Sequence, residues 1–413
     1  LVAQALAGNP NLRIAQARLA RAQAVSEAAG AALAPQVNGA LDITTQRYTK
    51  NGIIPPPLAG TVQTTGTAQL AGSWEIDFFG KNRAALDAAL GAARAAQADV
   101  EAARILLASN VVRSYLQVAR ANGQLAVAQR QLAQRDQALG LVRDRVSAGL
   151  DTRLELRQSE GGLPEARQQI EALQEQAEIA GNALAALVGQ PNARVLTTAP
   201  AMTSLKPLAV NSVIPADLLG QRADIPAAPW RVKAAGADVK NARAQFYPNI
   251  NLVAFAGLSS IGLGNLINAG SMQYGVGPAL RLPIFEGGKL RANLRGKAAD
   301  YDAAVESYNG TVIEAIHEVA DQLASERSIG RQQTEQRQAQ DAAESAYAIA
   351  LQRYQAGLGN YLNVLSAETA VLAQRRLAVD LVARALDSQV GLARALGGGY
   401  PPVAEAPITA AIK

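Results

Sequence analysis

Two distant stretches of this chain follow the same pattern. "AGLDTRLELRQSE" (148–160) aligns with "AGLGNYLNVLSAE" (356–368), and "LVGQP" (187–191) falls opposite "ALGGG" (395–399), both at an offset of 208 residues. Upstream, "AGAALAPQVNGAL" (29–41) lines up with "NARAQFYPNINLV" (241–253), Pro35 on Pro248. "EIDFFGKNRAAL" matches "RLPIFEGGKLRANL", with two residues inserted around Gly287. The period is far too long for a solenoid repeat. One whole unit has been duplicated, so any fold must hold two copies of one plan.

That plan is helix, strand, loop, strand, long helix, turn, long helix. The first copy is expected over 1–191, with strands at about 36–47 and 62–79 and long helices at 81–148 and 152–189. The second is expected over 223–399, with strands at about 248–257 and 272–285 and long helices at 289–355 and 360–396. Residues 192–222 read as a linker and 400–413 as a tail. Pro35 and Pro248 end the opening helices, as a residue without an N–H should.

The join between strand and helix is abrupt. In "GSWEIDFFGKNRAALDAAL" (72–90), Trp74, Ile76 and Phe78 alternate with Ser73, Glu75 and Asp77, the period of a strand; past Gly80 the spacing becomes helical. Strands 36–47 and 272–285 alternate in the same way, whereas "NINLVAFAG" alternates poorly. Long strands with one apolar and one polar face suit a soluble sheet packed on one side or a membrane barrel with lipid outside. Trp74, Phe78, Phe79 and Phe285 collect at the strand ends that adjoin helix, as in an interfacial girdle. Four strands cannot close a barrel, the smallest having about eight, so closure would be shared between subunits.

The helices carry an independent signal. Val111, Val118, Leu125, Leu132, Leu139 and Val146 recur every seven residues; Leu156, Leu163, Ile170, Ala177 and Leu184 do so after the turn, and Leu358, Leu365, Leu372, Val379 and Leu386 in the second copy. Such heptads predict left-handed coiled-coil packing between neighbouring helices. The stretch from Lys81 to Ser147 would span ~100 Å as one helix, more than an ordinary bundle needs. Gly161, Gly162 and Pro164 predict a break that divides the following arm into two stacked segments.

Composition narrows the function. The chain has 39 Lys+Arg against 34 Asp+Glu, but the basic residues are scattered, which argues against a nucleic-acid partner. There is no cysteine, hence no thiolate metal site or thiol nucleophile. No run approaches the ~18 apolar residues of a transmembrane helix. The chain opens at Leu1 in what reads as helix, so a processed or omitted leader is expected ahead of it. His317, the one histidine, lies in a helical run and reads as a packed or solvated residue. "FEGGKL" is no phosphate loop, since Pro283 stands where its first glycine belongs and Leu290 replaces Ser or Thr. "GLSSIG" (257–262) falls in an expected loop. Neither catalysis nor a cofactor is expected.

"SWEIDFFGKNRAAL", "LPIFEGGKLRA", "RYQAGLGNYLNVL" and the closing "ALGGGY" resemble the TolC-type outer membrane factors, in the OprM and NodT branch, and "PADLLGQRADI" (215–225) is similar to the segment that opens the second half there. The resemblance implies a mixed α and β membrane protein: a homotrimer with a twelve-stranded outer-membrane β-barrel, four strands per chain, continuous with a long α-helical periplasmic tunnel and circled by an equatorial belt. It implies the exit duct of a tripartite efflux system in a Gram-negative outer membrane, extending into the periplasm. Its partners would be outer-membrane lipid, a periplasmic adaptor and a proton-driven inner-membrane transporter. Its cargo would be drugs or small organic compounds. A protein-secretion or metal-efflux duct is the alternative, although two Met and no Cys do not suit a metal path. A trimeric coiled-coil adhesin or spacer is more distant.

The resemblance also implies sites. The two "AGL" turns would abut the adaptor, through Gly149, Leu150, Thr152, Gly357, Leu358 and Asn360. The periplasmic end would close as an iris. Tyr354 matches a tyrosine that holds it shut, whereas Asn363 and Ser366 stand where acidic residues ring the narrow point. By the repeat offset Glu155 lies opposite Asn363, so an anionic ring would move to Glu155, with Asp151 nearby.

Overall fold

The computed structural model describes residues 1–190, 202, 205, 222 and 224–398. The expected linker lies outside these residues save for Met202, Leu205 and Arg222, as does the tail at 400–413. In chain order the elements are α1 (Val2–Gly8), α2 (Pro10–Ala31), β1 (Gln36–Arg47), β2 (Val62–Ile76), α3 (Lys81–Ser147), α4 (Arg153–Val188), α5 (Asp224–Ala244), β3 (Asn249–Ile261), β4 (Met272–Arg281), α6 (Lys289–Gln355) and α7 (Tyr361–Ala395). None of the described helices is long and apolar enough to cross a membrane. The chain divides into two compact units, one of Leu1–Gln16, Ala98–Pro226 and Gly310–Lys413, the other of Ala17–Gln97 and Ala227–Asn309.

The second unit holds the sheet. Its order is β1-β2-β3-β4, all antiparallel, so β1 and β4 are its edges. The register sorts the side chains into two faces. One carries Val37, Leu41 and Ile43, then Ala68, Leu70, Trp74 and Ile76, then Ile250, Leu252 and Leu258, and finally Met272, Tyr274, Val276 and Leu280. The other carries Asn38, Asp42, Thr67, Gln69, Ser73, Glu75, Asn251, Gln273 and Arg281. Large apolar residues of the first face stand exposed, Tyr274 and Val276 among them. Among the described residues, no element covers them as a soluble core would.

Three strand ends differ from expectation. β2 stops at Ile76 rather than 79 because Asp77 turns to cap the helix, its carboxylate accepting the backbone N–H of Asn82 at 3.0 Å and of Arg83 at 2.7 Å. Gly80 takes φ 74° there. β4 stops at Arg281 rather than 285, where its partner Asn249 is the first residue of β3 and the ladder has no further partner. β3 runs to Ile261, past the expected 257, although it alternates poorly. Phe255 breaks the pattern by standing on the polar face, where its ring fills the space over Gly275 that a side chain there would need.

In the first unit the α3 heptad residues Val111, Val118 and Leu139 are buried, and Leu125 and Leu132 pack beside Ile170 and Leu173 of α4. On α7 the buried seam opens with Tyr361, Val364, Glu368 and Val371; of the expected series, Val379 and Leu386 pack against the buried cluster of Ala119, Met202 and Ala383, whereas Leu358 stands exposed in the turn. Charged pairs tie α3 to α7: Arg120 to Asp380 at 2.7 Å and Arg135 to Glu368 at 3.0 Å. The expected break in the α4 arm is absent, for Arg153–Val188 is one helix with Pro164 inside it. Arg135 of α3 donates to the Gly162 carbonyl at 2.8 Å and to Glu165 at 3.0 Å, which supports the disturbed turn from outside.

Candidate functional site

The two turns that join the long helices, α3 to α4 and α6 to α7, are built alike. In the first, the Gly149 N–H donates to the Val146 carbonyl at 3.0 Å and the Leu150 N–H to Arg145 at 2.9 Å. In the second, Gly357 donates to Tyr354 at 3.1 Å and Leu358 to Arg353 at 2.8 Å. This pair of bonds ends a helix when the capping residue is left-handed, and Gly149 and Gly357 take φ 71° and 75°. Thr152 and Asn360 then cap the next helices, accepting from the N–H of Leu154 and of Asn363. The repeat seen in the text is therefore a repeat of hydrogen bonds. Both turns expose a leucine at the apex, Leu150 and Leu358, and another one turn on, Leu154 and Leu362.

Behind the apices lies a buried polar lock. Tyr354 of α6 is 1% exposed and packs with Val142, Tyr361 and Val364. Its hydroxyl donates to the carboxylate of Asp151 in the other turn. Arg145 holds that carboxylate from α3, Nε at 3.0 Å and Nη2 at 3.3 Å, with its guanidinium 4.6 Å over the Tyr354 ring. The two helix pairs are thus joined through one carboxylate. Burial opposes the Asp151 charge, but the bonds from Arg145 and Tyr354 outweigh it and hold the carboxyl below its ordinary value. Burial and the adjoining carboxylate push the Tyr354 phenol upward, so it stays a donor.

The two candidate acids differ. Asp151 is consumed by the lock. Glu155 closes a capping box, accepting the Thr152 N–H at 2.9 Å and the Thr152 hydroxyl as well. The Thr152 hydroxyl, with the backbone N–H groups there, holds its carboxyl below the usual range, so it keeps its charge. Asn363 and Ser366 are both exposed, and the Asn363 N–H is spent on the Asn360 cap.

At the strand–helix junctions, the Trp74 indole donates to the Leu33 carbonyl at 2.9 Å. Phe78 meets Phe79 edge to face at 5.5 Å, while Phe285 is almost fully exposed. His317 is exposed and 3.5 Å from Asp321. Sequence reasoning missed Tyr247, which stacks on Phe79 at 4.7 Å, and Arg145. Arg145 had a signal: Arg353 stands 208 residues on, in the same place before the second glycine.

The chain matches the family model of the outer membrane efflux proteins over residues 1–190 and 214–398. The outer membrane protein VceC of Vibrio cholerae superposes with a TM-score of 0.91 at 35% identity, covering 97% of this chain and 96% of VceC. The toluene efflux pump outer membrane protein TtgF of Pseudomonas putida is 34% identical over 411 residues, 99% of this chain and 85% of TtgF. The fusaric acid resistance protein FusA of Burkholderia cepacia is 38% identical over 301 residues, 71% of this chain but 56% of FusA. A duplicated helix–strand–strand–helix–helix plan, matched along nearly its whole length, makes this chain a member of the outer membrane efflux protein family.

Proposed function

We propose that three copies of this chain form the outer-membrane exit duct of a tripartite efflux system. Three four-stranded sheets would join edge to edge into a twelve-stranded barrel, continuous with a helical periplasmic tunnel. The observation that carries this reading is the two-faced sheet with both edges open. An apolar face without a cover suits lipid, a polar face suits a water-filled lumen, and unpaired edges call for another strand. The apolar band along β2, from Ile76 to Gly66, measures ~33 Å at ~3.3 Å per residue. Tilted by ~40°, it projects to ~25 Å, the height of a barrel's lipid-facing band.

Within this reading the exposed leucines of the two apices meet the hairpin tips of a periplasmic adaptor, and a proton-driven inner-membrane pump supplies the work. The Tyr354–Asp151–Arg145 lock holds the periplasmic mouth shut. Glu155 lends the mouth one charged carboxylate per subunit. Trp74, Phe78, Phe79 and Phe285 mark the membrane interface. The cargo class is small organic compounds, aromatic acids and solvents included, a choice supported by the names of the fusaric acid and toluene relatives. Transport is passive conduction through the duct.

The test combines mass and current. Light scattering of the detergent-solubilised protein should give three times the chain mass, and planar bilayers should show discrete conductance steps. A folded monomer would overturn the trimer. A trimer that conducts nothing, even with its lock mutated, would favour a filled coiled-coil spacer.

A further inference from the structure

The loop from β3 to β4, residues 262–271, does not stand away from the sheet. Its first turn, Leu263–Asn265, folds back onto β2. A side chain built at Gly66 would come within 3.0 Å of Leu263 Cδ2 and 3.2 Å of Leu266 Cδ2. Gly66 pairs with Ile43 and Ser260, so its open side is the apolar face, the one that carries Leu70 and Trp74. The loop therefore lies against that face at the level of Gly66, inside β2. Leu266 is half-buried against it, while Ile267 is 88% exposed beside it.

Its lack of charge sets this loop apart from its counterpart between β1 and β2. No charged residue occurs between Arg243 and Arg281, whereas the other loop carries Lys50 next to Arg47. Part of the loop's backbone is paired within the loop or to β2. The Gly262 N–H donates to the Thr64 carbonyl at 2.7 Å, and Leu266, Asn268 and Ser271 donate N–H groups to Leu263, Asn265 and Asn268. The Ser271 hydroxyl closes on the Asn265 carbonyl at 2.7 Å.

We infer that this loop is a lipid-embedded wedge, with Leu263, Leu266 and Ile267 inserted among acyl chains of the outer leaflet. The inference rests on the barrel reading above, with the loop end of the sheet facing outward. It differs from a solvent-exposed external loop in that the membrane, not water, is the loop's partner. The occupant follows from continuity: the wedge lies on the band assigned to lipid, without charge and without a polar break at Gly66.

Because the chain has no cysteine, single nitroxide labels report depth directly in trimers reconstituted into phospholipid vesicles. Labels would be placed at Ile267→Cys, at Tyr274→Cys as the lipid-facing reference, and at Ile53→Cys in the other loop as the aqueous reference. The expected result is that position 267 resembles 274, with a ratio of oxygen to nickel-chelate accessibility several-fold above that at 53. If 267 resembles 53 while 274 stays in lipid, the wedge is overturned and the barrel stands. If 274 is also open to the chelate, the barrel reading fails and takes the wedge with it. Shielding of 267 from both reagents would mean protein contact and would also overturn the wedge.

Discussion

Asp151 accepts from a tyrosine of one helix pair and an arginine of the other, so each partner can be removed alone. Tyr354→Phe keeps the ring packed on Tyr361 and deletes only the bond to the carboxylate. A hydrogen bond to a charged group is worth about 1.5–3 kcal/mol, so each subunit's lock should shift toward open by roughly tenfold or more. Single-channel recording should show higher conductance; unchanged conductance would mean the lock does not hold the mouth. The pH dependence follows from the same carboxylate. Its pKa is depressed when locked, so the lock's contribution is complete above the ordinary carboxylate value of ~3.9 and is lost as pH falls through the lower, locked value. The phenol is shifted upward, so its donor survives into alkaline solution. Conductance should be flat across neutral pH and rise only in strong acid. Glu155 is the complementary case. Glu155→Gln keeps an acceptor for the Thr152 cap while removing the charge, and it should lower cation selectivity and weaken block by multivalent cations without disturbing the turn. Reversal potentials equal to those of the parent would take Glu155 out of the conduction path.

Single elements show what one charge in a helical seam costs. Glu368 sits at a core position of α7, and its side chain and that of Arg135 are each 10% exposed. Breaking a buried pair by deleting one partner typically costs about 3–5 kcal/mol. Glu368→Ala should therefore lower the thermal midpoint well beyond Glu165→Ala, whose carboxylate is 74% exposed; equal losses, read by circular dichroism, would remove the pair from the core. The same pair explains what the sequence could not reveal. The α3 seam was legible because its positions are uniformly Val or Leu. The opening of the α7 seam was not, because a glutamate occupies it, and its partner lies 233 residues away. The helix break expected at Pro164 failed for a similar reason: the group that supports the turn, Arg135, comes from another helix. Local signals were read well. The duplicated turns and the strand faces of β1, β2 and β4 followed from residue type and spacing, and Tyr354 came from the family resemblance, whereas cross-helix electrostatics required coordinates.

At the scale of the whole molecule, the proposed docking of an adaptor at the apices can be tested directly. Around Gly149 and Gly357 an added side chain finds no atom within 4 Å, so bulk there projects outward rather than into the fold. Left-handed backbone costs a non-glycine residue roughly 1–2 kcal/mol, too little to unfold helices of this length. Gly149→Trp and Gly357→Trp should therefore abolish efflux in cells while the purified trimer and its bilayer conductance persist. Full efflux in both variants would exclude docking at these turns.

The open edges of β1 and β4 have a last consequence, which concerns time rather than architecture. A lone chain can neither close its sheet nor satisfy the edge N–H and C=O groups in lipid, so it has no membrane-inserted intermediate of its own. On the trimeric reading proposed above, insertion becomes a property of the third arrival: the encounter step should depend on roughly the cube of chain concentration when monomers predominate. Scarce chains would wait in the aqueous compartment, with their apolar faces uncovered and open to edge-to-edge aggregation. Expression level would set the number of finished ducts far more steeply than it sets the number of chains.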